Sequence, residues 1–144
     1  MSLLEVRDLE VVYRRQGVDV RAVVGASLSL EPGRITGLVG ESGCGKSSLA
    51  RAVVGLVEPA AGEIVFDGRP LSPLRRGARS RHETRLQMVF QNPYSSLNPR
   101  RTVGTQIADG LRLCGVGDRA DRSRRVGELL EQVGMSAGAA GRFP

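Results

Sequence analysis

Residues 40–47 read Gly-Glu-Ser-Gly-Cys-Gly-Lys-Ser and follow the short apolar run Ile35 to Val39, which fits the phosphate-loop pattern G-x-x-x-x-G-K-[ST]. The glycines let backbone N–H groups curl around phosphate oxygens, and the helix that follows presents its positive end to the same anion. Lys46 is expected to reach the β and γ phosphates, and Ser47 to offer a hydroxyl to Mg²⁺, a hard cation that prefers oxygen. Lys46 is the single lysine among 21 lysines and arginines, so general lysine content does not explain its position. The stretch predicts a nucleoside triphosphate site.

Length and composition are those of a soluble globular domain, since 144 residues with 40% hydrophobic side chains can bury a core. No apolar run reaches the roughly 18 to 20 residues that cross a bilayer, and the N-terminus lacks the layout of a signal peptide. We therefore expect a protein made and kept in the cytosol. Cys44 and Cys114 give neither a disulfide framework nor metal-ligand spacing, and Cys44 is interpreted as a small loop residue.

The net charge of +6 is concentrated between Leu74 and Arg85, where five arginines and His82 occur in twelve residues. Aromatic residues are few and no recognition-helix pattern is present, so nucleic-acid binding is not expected. The run is interpreted as a solvated connection between two strands. The lone His82 has no acidic or cysteine partner in a pattern that would mark a site, and it is interpreted as a surface side chain.

Hydrophobic patterning predicts the elements around the phosphate loop. Alternating residues predict strands over Leu3–Tyr13 and Ala22–Leu30, joined through 14–17 as an antiparallel unit. The continuous apolar runs Ile35–Val39 and Leu86–Phe90 predict buried strands. Further predictions are a strand over Glu63–Gly68, an irregular or helical stretch over Arg75–Glu83, and helices over Lys46–Val57, Val103–Leu113 and Arg122–Val133.

Two motifs together carry a resemblance to a known family. Residues 37–48, Gly-Leu-Val-Gly-Glu-Ser-Gly-Cys-Gly-Lys-Ser-Ser, are followed by residues 89–99, Val-Phe-Gln-Asn-Pro-Tyr-Ser-Ser-Leu-Asn-Pro. The first resembles the phosphate loop and the second the Q-loop of the ATP-binding subunits of ABC transporters, in particular of bacterial dipeptide and oligopeptide importers. The resemblance implies an α/β P-loop NTPase fold of ABC type with an antiparallel β subdomain.

The resemblance also assigns roles to residues that match the motifs. Tyr13 is the candidate aromatic residue that stacks on adenine, with an ordinary strand tyrosine as the alternative. Gln91 is the candidate contact to Mg²⁺ or the attacking water, and with Lys46 it forms the candidate catalytic pair. Ser47 and Gln91 are the candidate metal ligands. ATP is expected to be bound by Tyr13, Gly40, Glu41, Ser42, Gly43, Cys44, Gly45, Lys46, Ser47 and Ser48.

The resemblance implies an organisation and a set of partners. Residues 1–91 are expected to form the nucleotide-binding core with the β subdomain, and residues 92–144 the Q-loop continuation with an incomplete helical subdomain. The expected partners are transmembrane permease subunits and a second ATP-binding subunit, at the inner face of the cell membrane. Dipeptide, oligopeptide and nickel importers stand as alternatives for the transported solute.

Several parts of the family pattern do not occur in this sequence: the Leu-Ser-Gly-Gly-Gln signature, a Walker B strand ending in Asp-Glu, and the switch histidine. Asp67 follows an apolar strand, but a turn and no glutamate come next. Glu41 lies at a variable loop position and is not a general base. The chain is therefore expected to be the first half of such a domain, to end before the signature motif, and to turn over ATP very poorly by itself.

Two alternatives to an ABC transporter ATPase subunit are open from the sequence. One is another small P-loop enzyme such as a nucleotide kinase, for which the arginines of 75–85 could form a lid, although no acceptor-binding motif accompanies them. The other is a module that binds nucleotide without turnover. A Rossmann dinucleotide fold is excluded because Ser48 stands where the third glycine belongs.

Overall fold

The computed structural model describes residues 2–71, 80, 82–92 and 96–144, and it divides into two compact units, Met1–Leu86 and Gln87–Pro144. Most of the predicted irregular stretch over Arg75–Glu83 and the centre of the 89–99 motif lie outside the described residues. Each unit is considered by itself. The predicted boundary at residue 91 stays a prediction.

The first unit is built on a four-stranded antiparallel sheet with strand order β2-β1-β3-β4. Its strands are β1 (Leu4–Arg15), β2 (Val18–Leu30), β3 (Ala61–Phe66) and the two-residue β4 (Arg69–Pro70). Alternating apolar residues place one face of β1 in the core, and a tight turn at Gln16 and Gly17 closes the β1–β2 hairpin. The predicted antiparallel unit is confirmed, with β1 as the central strand between β2 and β3.

Helix α1 (Lys46–Val53) packs on this sheet through Leu49 and Ala52. It begins at the predicted residue and ends four residues earlier than predicted, before the turns that lead to β3. The buried core below it contains Leu4, Val6, Leu9, Val11, Val23, Ile64 and Phe66. The helix that follows the phosphate loop is therefore packed directly on the hydrophobic core of the first unit.

Two predicted strands are wrong. The runs Ile35–Val39 and Leu86–Phe90 have no strand assignment, and no strand of the described residues pairs with either. Their side chains are largely open to solvent, with Val39 at 93% and Val89 at 95% exposure. An apolar run forms a strand only where a neighbouring strand supplies hydrogen-bond partners. Among the described residues no strand pairs with these runs, although Leu86 packs against the core of the first unit.

The second unit is helical. Helices α2 (Val103–Leu113) and α3 (Arg119–Gln132) and a 3₁₀ turn at Ala137–Gly141 enclose a small core of Val126, Leu130 and Ala139. The helix predicted over Val103–Leu113 is confirmed at both ends, while α3 starts three residues before the predicted Arg122. The earlier start follows from Asp118, whose side chain accepts hydrogen bonds from the backbone N–H groups of Ala120 and Asp121. None of the helices in the described ranges is long and apolar enough to cross a membrane.

The interpretation of His82 as a surface side chain is wrong. Its side chain is only 16% exposed and its ring packs on Phe66, with ring centroids 5.0 Å apart. Its Nε2 lies 3.9 Å from Oδ2 of Asp67, the carboxylate that also receives Arg85 Nη1 at 2.6 Å. The proximity of Asp67 to His82 could not be predicted from local sequence, because Asp67 lies fifteen residues earlier in the chain.

Candidate functional site

The side chain of Lys46 folds back over the phosphate loop. Its Nζ donates to the carbonyl oxygens of Gly40 at 2.8 Å and Glu41 at 2.6 Å, and lies 3.4 Å from Sγ of Cys44. The loop thus curves around the ammonium group, which places a full positive charge at the position where the sequence predicts phosphate binding. The position of the Lys46 side chain is therefore set by the loop itself, since all of these contacts lie within seven residues of the chain.

The end of the loop is pressed against strand β2. Gly45 has φ of +96°, and a Cβ placed there would lie 2.2 Å from the carbonyl oxygen of Ala22. Only glycine permits both this left-handed backbone and this close approach. At the start of the loop, a Cβ on Gly40 would lie 2.8 Å from Sγ of Cys44, so the glycine leaves room for the thiol. Gly45 is therefore required by its packing against the backbone of β2.

The first turn of α1 is electrostatically prepared for an anion. The first N–H groups of any helix lack partners within the helix, and Gly45 at the N-cap has no side chain to satisfy them. No acidic residue stands in the first turn. The partial positive charge of the helix end is therefore not neutralised locally, and it adds to the charge of Lys46.

Tyr13 lies beside the same turn of the helix. Its hydroxyl donates to Oγ of Ser48 at 3.3 Å, and its half-buried ring packs against the core of the first unit. Tyr13 and Ser48 are 35 residues apart in sequence. The structure thus brings together Tyr13 and the phosphate loop.

The residues of the loop fit a nucleotide with Mg²⁺. Lys46 and the unpaired N–H groups at the start of α1 are hydrogen-bond donors suited to phosphate oxygens, and the glycines of the turn leave space for them. Ser47 is exposed at the start of the helix. No group of three or more histidine, cysteine, aspartate or glutamate side chains that could hold a metal occurs in the described parts of the chain.

Gln91 belongs to the second unit, where its side chain is exposed. The turn that follows is anchored to α2 by one side chain: Gln106 accepts from the amide of Asn98 at 2.7 Å and donates to the carbonyl oxygens of Asn98 and Arg101 at 3.1 and 3.0 Å. Ion pairing of Arg101 with Asp109 at 2.5 Å reinforces the same connection. The end of the 89–99 motif is thus fixed to a helix.

Sequence reasoning missed two contacts of the site: Ala22 of β2 against Gly45, and the bond from Tyr13 to Ser48. Both join residues far apart in sequence through backbone or hydroxyl contacts. Ala22 carries no chemical signal, so no motif could have indicated it. The resemblance assigns Tyr13 to stacking on adenine, which stays a prediction, and it gives no indication of the contact between the Tyr13 hydroxyl and Ser48.

Proteins similar in sequence include named transport proteins. A Brucella ovis protein whose name designates a peptide import ATP-binding protein is 38% identical over 98% of the chain, and a similarly named protein of Brucella abortus is 43% identical over 96%. The oligopeptide transport ATP-binding protein AppF of Bacillus subtilis is 38% identical over 99%. The chain spans 44%, 42% and 46% of the lengths of these three relatives, less than half of each.

Solved structures show the same fold. The ATP-binding cassette MJ0796, in a dimeric post-hydrolysis structure bound to ADP and Pi, matches 98% of the chain with a TM-score of 0.80 at 20% identity. CbiO1 of Clostridium perfringens, part of an ABC transporter complex, matches 99% with a TM-score of 0.69 at 23% identity. The chain covers 61% and 54% of those chains. The predicted α/β P-loop NTPase fold of ABC type is confirmed.

The family assignment rests on a match that spans most of the chain. Residues 23–143 match the family model described as ABC transporter. This range starts within β2 and includes the phosphate loop, α1, β3 and both helices of the second unit. The chain belongs to the ABC transporter family.

Proposed function

We propose that this chain is the nucleotide-binding part of an ABC transporter ATPase subunit for peptide import, and that it binds ATP with Mg²⁺ at residues 40–48. One observation carries the proposal: Nζ of Lys46 is held at 2.8 and 2.6 Å from two loop carbonyls, directly at the start of α1. Peptide as the transported solute is supported by the names of the relatives at 38 to 43% identity.

The loop residues have distinct proposed roles. The ammonium of Lys46 turns from the loop carbonyls to the β and γ phosphates, whose charge it neutralises. Ser47 offers its hydroxyl to the metal. A Mg²⁺ ion held through the Ser47 hydroxyl would supply further neutralisation of the phosphate charge. The backbone of Gly40, Glu41, Ser42, Gly43, Cys44, Gly45 and Ser48 supplies N–H groups and close approach to the phosphate chain.

Gln91 and Tyr13 each have a proposed role in nucleotide binding or turnover. Gln91 is proposed to contact the metal or the attacking water, and the exposure of its side chain leaves it accessible for that contact. Tyr13 is proposed to lie against the adenine, which is supported by its position beside the first turn of α1. We also propose that residues 1–91 form the nucleotide core and residues 92–144 the helical part.

The proposed enzyme class is ATP hydrolase coupled to transport. Phosphoryl transfer to water needs a group that orients or activates the water, and this sequence contains no glutamate after a Walker B strand. We therefore propose that the chain alone binds ATP but hydrolyses it very slowly. Its proposed partners are transmembrane permease subunits and a second ATP-binding subunit, with a location at the cytoplasmic face of the membrane.

Binding of a fluorescent ATP analogue with Mg²⁺ tests the proposal. The wild-type chain is compared with Lys46→Ala and with Arg51→Ala. Arg51 lies in the last turn of the same helix, so Arg51→Ala is the control that removes an equal charge at a distance from the loop. We expect Lys46→Ala to weaken binding at least about tenfold, since hydrogen bonds between charged groups are lost, and Arg51→Ala to bind like wild type.

The same samples are assayed for phosphate release. Equal binding by wild type and Lys46→Ala would overturn the assignment of the loop as the nucleotide site. A steady-state rate like that of a complete ABC ATPase would leave the binding proposal intact and overturn the proposal of slow turnover. Wild-type binding with slow release supports both.

A further inference from the structure

Tyr13 contacts two different parts of the first unit. Its ring packs against the core formed by β1, β2, β3 and α1, and its hydroxyl donates to Oγ of Ser48 at 3.3 Å. The ring is therefore partly occupied by protein contacts. The hydroxyl is the part of this side chain that reaches the first turn of α1.

We propose that Tyr13 acts on the phosphate site through its hydroxyl, as a positioning residue that holds Ser48 and the first turn of α1 against β1. The inference rests on the proposed function, because it concerns the affinity of the same loop for phosphates. It differs from stacking on adenine, which needs only the aromatic ring.

The junction between loop and helix is held on two neighbouring strands. On β2, the backbone of Ala22 touches Gly45 so closely that no β-carbon fits. On β1, Tyr13 pairs with Val20 of β2, so the residue that makes the hydroxyl contact belongs to the same hydrogen-bonded hairpin as Ala22. Together these contacts fix both the N-cap and the first turn of α1 relative to the sheet.

The direction of the hydrogen bond matters for the chemistry. A serine hydroxyl has one donor and two acceptor positions, and here Tyr13 occupies an acceptor position of Ser48. The hydrogen of Ser48 is then available to another acceptor, and hydrogen bonds in a chain polarise one another. The contact thus orients a donor at the helix start where the proposed phosphate site lies.

Displacement of a fluorescent ATP analogue by Mg-ATP and by inorganic tripolyphosphate with Mg²⁺ tests this inference. The variants are Tyr13→Phe, which keeps the ring, Ser48→Ala, their double variant, and Ser48→Thr, which keeps a hydroxyl. We expect Tyr13→Phe to weaken ATP and tripolyphosphate by the same factor, about three- to tenfold for one lost hydrogen bond. The double variant should be no weaker than Ser48→Ala, and Ser48→Thr, which keeps a hydroxyl, should bind more tightly than Ser48→Ala.

Calorimetry of Mg-ATP binding separates positioning from a purely structural role. Loss of folded protein lowers the fraction of binding sites but leaves the Kd of the remaining sites unchanged. An unchanged Kd in Tyr13→Phe, or a loss confined to ATP with tripolyphosphate unaffected, would overturn the hydroxyl role and favour stacking.

Failure of the proposed function is recognisable separately. If the wild-type chain does not bind the analogue, or if Lys46→Ala binds ATP normally, the loop is not the nucleotide site and the inference is overturned with it. If wild type binds and Lys46→Ala does not, while Tyr13→Phe equals wild type, only the role of the hydroxyl is wrong.

Discussion

At the scale of single residues, Gly62 shows how a glycine can be required by a neighbouring strand. It has φ of +89°, and a Cβ placed there would lie 2.5 Å from the carbonyl oxygen of Asp8 and 2.6 Å from that of Arg7. Asp8 itself has a positive φ of 45°, at an irregularity where the pairing of β1 with β3 shifts register. The bulge of β1 therefore fits into the space that Gly62 leaves.

Replacement of this glycine should destabilise the first unit. Gly68 provides the matched control, since it also has a positive φ, +73°, but a Cβ there meets nothing within 4 Å. We expect Gly68→Ala to show the cost of the backbone conformation alone, and Gly62→Ala to lose about 1–3 kcal/mol beyond that through overpacking. Urea unfolding of both variants measures the difference, and equal free energies of unfolding would contradict the clash.

Single residues also mark how far the sequence predicts the site. The phosphate-loop pattern predicts Lys46 and Ser47 as site residues, because their spacing follows from the chemistry of phosphate and metal. The hydroxyl of Tyr13 and the backbone of Ala22 could not be assigned in the same way, since their contacts depend on how the hairpin is placed against α1. Spacing in sequence carries no information about such contacts.

At the scale of elements, local signals were predicted well and non-local pairing was not. The hairpin and α2 were correct because alternation, turn residues and helical periodicity act within a few neighbours. The runs Ile35–Val39 and Leu86–Phe90 were wrong because a buried strand requires pairing partners that the periodicity of a run does not reveal. Apolar character favours burial of a run, but whether the run forms a strand depends on a neighbouring strand that can pair with it.

The N-terminus of α3 carries a pH dependence. Hydrogen bonds from the backbone of Asp121 and Ala120 hold the pKa of Asp118 below its ordinary value of 3.8. The folded state therefore binds this proton less readily than the unfolded chain, and stability rises with pH through this range. The contribution is complete above pH 3.8 and is lost as the pH falls through the lower value of the folded state.

Helix content measured by circular dichroism between pH 2 and 7 tests this dependence. Asp118→Asn is the matched variant, because asparagine caps helices as well as aspartate but does not titrate. We expect the acid loss of helix to be smaller in Asp118→Asn than in wild type, although other carboxylates such as Glu128, whose pKa is lowered chiefly by Arg125, titrate in both. Identical acid profiles would show that the cap does not contribute.

At the scale of the whole molecule, the exposed run Ile35–Val39 is the segment from which we expect self-association. Ile35 is fully exposed, and the run finds no strand partner within the described ranges of the chain. An exposed apolar run without a strand partner can pair with the same run of another copy. The net charge of +6 opposes association only weakly at physiological salt, where charges are screened beyond about 8 Å.

We expect the wild-type chain to self-associate at micromolar concentrations and the double variant Ile35→Lys with Val39→Lys to associate less. Leu113→Lys with Val133→Lys is the control, since these side chains are also exposed but lie at the ends of helices and not beside an unpaired strand. Light scattering coupled to size exclusion gives the mass of each species. A wild-type chain that is monomeric at all concentrations, or equal association in both variants, would show that this run is not the contact.

The segment 31–60, which contains the phosphate loop, has both ends fastened to the central strand. The amide of Leu3 bonds to the carbonyl of Leu30 at 2.7 Å just before the segment, and the amide of Ala60 bonds to the carbonyl of Glu10 at 2.8 Å at its end. Opening of β1 therefore releases the loop at both ends. A ligand that binds the ordered loop must suppress that opening by linkage, so amide hydrogen exchange deep in the sheet becomes a reporter of events at the loop.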